Sequence, residues 1–429
     1  MIDIIKADGT AERNLIDQLR RRSGEENRRV TDIVTAIIDR VCQEGDVAVR
    51  QYTEVLDCPN PEYYEVPADV IAKAHENCDA AFIESLKKAA DSIADFHKRQ
   101  LQQSWLDTKK NGVILGQRIR GLKRVGVYVP GGTAAYPSSV LMNVIPAKIA
   151  GVEEVVMVTP PGKDGKANQD ILAAAAIAGV DRVFLIGGAQ AVAALAYGTE
   201  LVPRVDKIVG PGNIYVATAK RLVYGQVDID MIAGPSEILV IADETANPVY
   251  LAADLMSQAE HDRLASSILL TTDEEIAVKT KEEIIRQSAA LSRSDIIADS
   301  LRDYGAIVIC RSMDEAVELA NELAPEHLEV CAENPMEYVG KIDNAGSVFL
   351  GNFAPEPLGD YFAGPNHVLP TSGTARFFSP LSVESFLKKS SFIYYNRDAL
   401  EEIAGDIVTI AETEQLTAHA NAIKVRFGL

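Results

Sequence analysis

The sequence predicts an α/β protein of two parallel-sheet lobes, with a helical N-terminal part and a small C-terminal segment. Three observations lead to this. From Gly121 onward, short apolar runs alternate with Ala-rich stretches of helical length, the pattern of βαβ units that cover a parallel sheet on both faces. The turns that follow those apolar runs are rich in Gly and Pro. Residues 13–105 show only helical periodicity.

In chain order, residues 31–41 carry apolar side chains at i, i+1, i+4, i+5 and i+8, and Phe82, Leu86, Ala89, Ile93 and Phe96 make a second stripe. These are packing helices. His75 and His97 stand in polar helix surroundings with no second ligand-type residue at a metal spacing, so both are expected to be structural. Four βα pairs follow, at 124–129 with 140–150, 155–158 with 171–178, 183–186 with 189–197, and 208–209 with 214–223. Their turns are Pro130-Gly131-Gly132-Thr133, Gly187-Gly188-Ala189-Gln190 and Gly210-Pro211-Gly212-Asn213. Such turns let a ligand approach backbone N–H groups and helix N-termini. None is a GxGxxG, and no acidic residue stands about 20 positions after one, so by motif alone the turns do not decide for a dinucleotide.

A strand at 238–242 opens the second lobe. Asn247 caps a helix with Pro248 in its first turn, running through Gln258 to His261, which are neighbours on one helix face at i and i+3. After a strand at 267–270 and a charged helical stretch, Ser312-Met313-Asp314-Glu315 reads as a capping box, and Pro325 ends the helix it starts. Leu328-Glu329-Val330-Cys331 then alternates like a strand. Glu326 and His327 therefore fall at a helix-to-strand junction, a place for a general acid/base pair. Asp360 and His367 lie in the turn-rich segment beyond it, and His419 in the last helix. The four segments expected are 1–120, helical; 121–236, the nucleotide-type lobe; 237–380, the catalytic lobe; and 381–429.

Composition narrows the function classes. With 429 residues and 47% apolar content the chain can bury a large core, about three lobes by length. A formal charge of −20 argues against nucleic acid and anionic membranes, which are bound through clustered Lys and Arg. No apolar run approaches the ~20 residues of a membrane span and the start lacks a signal peptide's basic and apolar regions, so the expected compartment is the cytoplasm. Five widely spaced cysteines without a CxxC are expected to be reduced thiols; Cys310 and Cys331 sit in strand patterns where inert, buried thiols are the default. Gln258, His261, Asp360 and His419 could serve a metal, with Glu326 and His327 for proton transfer. That inventory alone would equally permit a zinc hydrolase or a non-catalytic sensor.

The ordered motifs Tyr128-Val129-Pro130-Gly131-Gly132-Thr133, Gly187-Gly188-Ala189-Gln190-Ala191, Val209-Gly210-Pro211-Gly212-Asn213, 229–237, Ser257-Gln258-Ala259-Glu260-His261, 324–328, 359–371, and Glu414 with His419 resemble the histidinol dehydrogenase family along nearly the whole chain. The resemblance implies an aldehyde-dehydrogenase-like architecture with Rossmann-like lobes. It further implies a zinc-dependent oxidation of L-histidinol to L-histidine through the aldehyde, consuming two NAD. By similarity, Tyr128, Gln190 and Asn213 would contact NAD; Gln258, His261, Asp360 and His419 would hold zinc; Ser236, Gln258, His261, His327, Asp360, His367, Glu414 and His419 would contact substrate. Glu326 and His327 would be catalytic. The same resemblance implies a homodimer in which the segment 381–429 completes the partner's site and residues 1–120 belong to the catalytic lobe and the dimer contacts. A related dehydrogenase of another small alcohol shares this layout.

Overall fold

The computed structural model describes residues 2–22, 28–131 and 136–428, so Gly132 and Thr133 of the first glycine-rich turn lie outside the described residues. The chain divides into two compact units: Met1–Gln100 with Leu122–Phe386, and Leu101–Gly121 with Leu387–Leu429.

The larger unit contains two parallel sheets, as the alternation predicts. The first has the order Arg182–Leu185, Glu154–Thr159, Arg124–Tyr128, Lys207–Val209, Asp228–Ile229. Its crossovers are the helices Pro137–Ile149, Gln169–Ala178, Gly188–Tyr197 and Ile214–Val223. Local chemistry sets their ends: Asn168 Oδ1 accepts from the N–H groups of Asp170 and Ile171, and Gly179 stops that helix in the left-handed region. Val155, Val156, Met157 and Val158 are all fully buried, as a strand with helices on both faces must be, each worth about 1.5–3 kcal/mol of hydrophobic stabilisation.

The second sheet runs Asp3–Lys6, Gly305–Ile309, Ser266–Thr271, Glu237–Ala242, His327–Cys331, Ser347–Leu350, again all parallel. Its first strand comes from the N-terminus, in a stretch expected to contribute no strand.

Two readings of the N-terminal part need correction. The helices Arg28–Glu44 and Asp46–Leu56 bury Val34, Ile37, Ile38, Val41 and Val49 with Ala191 to Ala196 of the first sheet's helix, so they cover the nucleotide-type lobe and not the catalytic one. His97 is fully buried and not on a solvated helix face: its Nδ1 lies 2.8 Å from Gln100 Oε1 and its Nε2 3.4 Å from Asn366 Nδ2. Periodicity identified both helices but not their partner.

The smaller unit is an antiparallel sheet, in the order Leu387–Tyr394, Ile114–Gly121, Trp105–Thr108, with helices Arg397–Thr413 and Thr417–Phe427. The segment expected to be helical up to residue 120 therefore ends in two strands. Ile114–Gly121 pairs with Leu387–Tyr394, far along the chain, while Trp105–Thr108 folds back on the start of Ile114–Gly121 as a local hairpin. The divisions at 120/121 and 380/381 give way to a unit assembled from two separated pieces. No helix among the described residues is long and apolar enough to cross a membrane.

Candidate active site

The site forms at the amino-terminal ends of the second sheet's strands. Ser312 Oγ accepts from the N–H of Glu315 at 3.1 Å, capping the helix Met313–Leu323; the Glu315 carboxylate returns to the N–H of Arg311, one residue upstream of the expected box partner. Ala324 leaves the helix at φ 51°, Pro325 follows, and the strand starts at His327. Glu326 and His327 are thus not on an open loop. They are only 7% and 4% exposed.

Both are held by one backbone position. The N–H of Glu237 donates to Glu326 Oε2 at 2.9 Å, and the carbonyl of Glu237 lies 3.0 Å from His327 Nδ1. Since a carbonyl only accepts, Nδ1 carries the proton and Nε2 keeps its lone pair; Nε2 is buried with no partner among the described residues. Burial pushes the His327 imidazole down to about 4. Burial also raises the Glu326 carboxyl well above the usual range, reinforced by the charges of Glu237, Asp360 and Glu356 and opposed by the Glu237 N–H.

Beside them lies a group able to hold a cation. The helix Pro248–Ala259 ends before His261, so Gln258 closes its last turn and His261 stands just past the cap, rather than both lying on one helix. Glu356 and Asp360, at i and i+4 of the helix Glu356–Tyr361, face it. One donor atom each from His261, Glu356 and Asp360 lie within 4.8 Å of one another. Gln258 is buried, and neither of its side-chain polar atoms has a partner among the described residues. Burial pushes Glu356 up to about 7, with the Asp360 charge adding to the rise and His261 opposing it, and burial pushes Asp360 up to about 6. A mixed nitrogen and oxygen set of this kind fits zinc.

Glu356 escaped the sequence reading, although its i, i+4 spacing to Asp360 was a usable signal. So did Asp254 and Glu329. Glu329, in a strand whose alternation suggested one wet face, is 1% exposed; its Oε1 accepts from the N–H of Glu356 at 2.8 Å. Burial raises Glu329 well above the usual carboxylate range and Asp254 to about 6.

A pocket of about 270 Å³ opens onto His327, Phe349, Leu358, Asp360 and His367. It is sized for a small substrate, below the roughly 300–1,000 Å³ of drug-sized sites. His367 Nδ1 lies 3.1 Å from the Asp360 carbonyl, which sets its tautomer as Glu237 sets that of His327. Ser236 precedes Glu237 and its carbonyl accepts from the N–H of Ser266 at 3.0 Å. Cys310 and Cys331 are buried at strand ends; burial pushes the Cys310 thiol up to about 12 and raises Cys331 also, leaving neither as a thiolate.

The nucleotide-type site lies at the carboxyl ends of the first sheet. The N–H of Gly188 donates to the Tyr128 hydroxyl at 3.1 Å, and the Oε1 of buried Gln190 has no partner among the described residues. Gly188 has φ +60°, and a Cβ there would stand 2.6 Å from Gln190 Oε1. Asn213 uses Oδ1 to cap the helix Ile214–Val223, which leaves its amide nitrogen for a ligand. The turn before it is clamped: Lys220 Nζ donates to the Gly210 carbonyl at 2.9 Å and pairs with Asp230, whose Oδ2 accepts from the N–H of Gly210 at 2.8 Å. A tight backbone, an orphaned acceptor and a free amide donor fit a dinucleotide laid across the strand ends.

The larger unit thus gathers Glu326, His327, Gln258, His261, Asp360 and His367, with Tyr128, Gln190 and Asn213 on its other sheet. Glu414 and His419 lie in the smaller unit, Glu414 as the C-cap of the helix Arg397–Thr413 and His419 in the first turn of the last helix, both exposed.

The family model for histidinol dehydrogenase matches residues 20–427. A histidinol dehydrogenase of Clostridium acetobutylicum is 56% identical over 430 residues, 100% of each chain, and one of Caldanaerobacter subterraneus is 55% identical over 429 residues, covering 100% of this chain and 99% of its own. The crystal structure of histidinol dehydrogenase from Elizabethkingia anophelis superposes with a TM-score of 0.93 at 38% identity, covering 100% of this chain and 98% of that one. With likeness in sequence and in fold both running from end to end, the chain belongs to the histidinol dehydrogenase family.

Proposed function

We propose that this oxidoreductase carries out the NAD-dependent, zinc-requiring four-electron oxidation of L-histidinol to L-histidine, the end of histidine biosynthesis, at the pocket beside His327. The observation that carries the reading is the buried His327, with Nδ1 committed to Glu237 and Nε2 free, next to the group of His261, Glu356 and Asp360. Gln258, His261, Asp360 and the partner's His419 would hold zinc. Zinc would supply a fixed positive charge that orients the imidazole and amino nitrogens of the substrate.

His327 Nε2 takes the hydroxyl proton as hydride leaves the alcohol carbon. Its low proton affinity keeps it neutral and ready at physiological pH. Glu326 then moves a proton from water to hydrate the aldehyde, which supplies the oxygen of the product; burial raises the proton affinity of its carboxylate, which makes it a stronger base than an exposed one. Two NAD are consumed because each accepts one hydride. Tyr128, Gln190 and Asn213 contact the dinucleotide; Ser236, His367 and Glu414 contact substrate. The segment 381–429 would cross a two-fold axis to complete the partner's site, making the active form a homodimer.

Comparing L-histidinol with L-phenylalaninol tests the substrate. Expected is NADH formation with histidinol, histidine as the product, and little turnover of the alcohol without an imidazole. Equal turnover of both would reject the assignment in favour of a general alcohol dehydrogenase.

A further inference from the structure

The nucleotide-type site contains a carboxylate that no glycine motif announces. Asp57 ends the helix Asp46–Leu56 and is half-buried. It reaches the Gly187-Gly188 turn from outside the sheet: Gln190 Nε2 donates to its Oδ2 at 3.3 Å, and the N–H of Gly187 hydrogen-bonds to it. A Cβ at Gly187 would lie 2.7 Å from Pro160 Cβ and 3.1 and 3.2 Å from the two carboxylate oxygens, so glycine lets the turn pack closely between Pro160 and Asp57. Asp57 makes no ion pair with Lys or Arg among the described residues. The Gln190 amide that contacts it keeps a buried, unpartnered Oε1, and Gln190 is 0% exposed. These groups together accept hydrogen bonds and repel anions.

Sheet order says which part of a ligand would lie there. The Gly187-Gly188 turn follows Arg182–Leu185, the edge strand, while Asn213 follows Lys207–Val209, three strands away, and Ser236 follows Asp228–Ile229, the other edge. At about 4.8 Å per strand, the first two turns are roughly 14 Å apart. The reacting end of a dinucleotide belongs near Ser236 and Glu237, whose backbone holds His327 and Glu326. Its far end, the adenosine half, then falls at the Gly187 edge. A carboxylate suits the vicinal hydroxyls of a ribose, whereas a 2′-phosphate calls for Arg or Lys.

We propose that Asp57 selects the dinucleotide: its carboxylate accepts hydrogen bonds from the adenosine ribose hydroxyls and excludes a 2′-phosphate. This rests on the NAD reading above. The carboxylate that a sequence motif would have placed about 20 residues after a glycine fingerprint comes instead from a helix that precedes the whole lobe.

The test is direct binding of NAD+ and NADP+ by titration calorimetry to the full-length protein and to Asp57→Asn, with Asp57→Ser as a second variant, each checked for an unchanged melting profile. Expected is wild-type preference for NAD+ and, in either folded variant, a ratio of the two dissociation constants narrowed about tenfold or more, mainly through tighter NADP+ binding. A wild-type protein that binds both equally overturns the proposal. So does a folded variant that loses affinity for both by the same factor, as a purely structural anchor of the Gly187 turn would. Binding of neither dinucleotide by wild type would instead fail the NAD reading itself.

Discussion

His327 Nδ1 lies 3.0 Å from the carbonyl oxygen of Glu237, and this contact fixes which imidazole nitrogen can act as a base. The same residue's N–H holds Glu326 at 2.9 Å, so one peptide position orients both side chains. His327→Asn should fold normally and lower kcat about 100-fold to 10,000-fold, the range of a lost general base, with a smaller change in KM. Steady-state NADH formation measures this. A variant within threefold of wild type would remove His327 from the chemistry.

Glu326→Gln should separate the two half-reactions (hypothesis), because only the second needs a hydrated aldehyde. Gln retains an acceptor for the Glu237 N–H but cannot take up a proton. Supplied with histidinal, the variant should be slowed much more than in a single-turnover oxidation of histidinol. Full-speed oxidation of histidinal would refute the division of labour.

Glu356 was not among the expected metal ligands, yet its carboxylate shares the cluster with His261 and Asp360. Glu356→Gln should weaken zinc retention about 10-fold to 100-fold, whether the group binds the ion or supports a ligand. Metal content after dialysis against graded chelator reports it. Unchanged retention would leave Glu356 with no part in the metal site.

The buried carboxyls predict an unusual pH dependence of stability. Glu329 and Asp254 bind protons more tightly folded than unfolded, so the stability linked to them is complete below the ordinary carboxylate range and is lost as pH rises through their folded values. His327 and His367, both pushed down to about 4, act oppositely, costing stability as pH falls below about 6.5. Glu329→Gln removes one carboxyl and keeps an acceptor for the Glu356 N–H. In metal-free protein its loss of stability between about pH 5 and about pH 8 should be smaller than that of wild type by about 1 kcal/mol or more. Parallel denaturation curves for the two proteins would contradict the burial argument.

Much of this was readable in the sequence, and the unread parts share a cause. Apolar periodicity identified the βα units because a parallel sheet covered on both faces leaves no other pattern for Val155 to Val158. Glu326 and His327 stood out through the helix stop at Pro325. The strand Ile114–Gly121 has a partner, Leu387–Tyr394, that no local rule reaches, whereas the hairpin it makes with Trp105–Thr108 across Asn111-Gly112 carried a local turn signal that went unseen. Glu329 looked half-exposed because alternation normally means one wet face. Here both faces are covered, and the carboxyl serves the site from below.

The central claim is a four-electron oxidation dependent on a bound ion. It is tested most directly by counting NADH released per L-histidinol consumed, on protein as purified, after exhaustive chelation, and after zinc is restored. The account predicts two NADH per histidinol, none after chelation, and two again with zinc. One NADH per histidinol with aldehyde accumulating, or undiminished turnover by the metal-free protein, would contradict it.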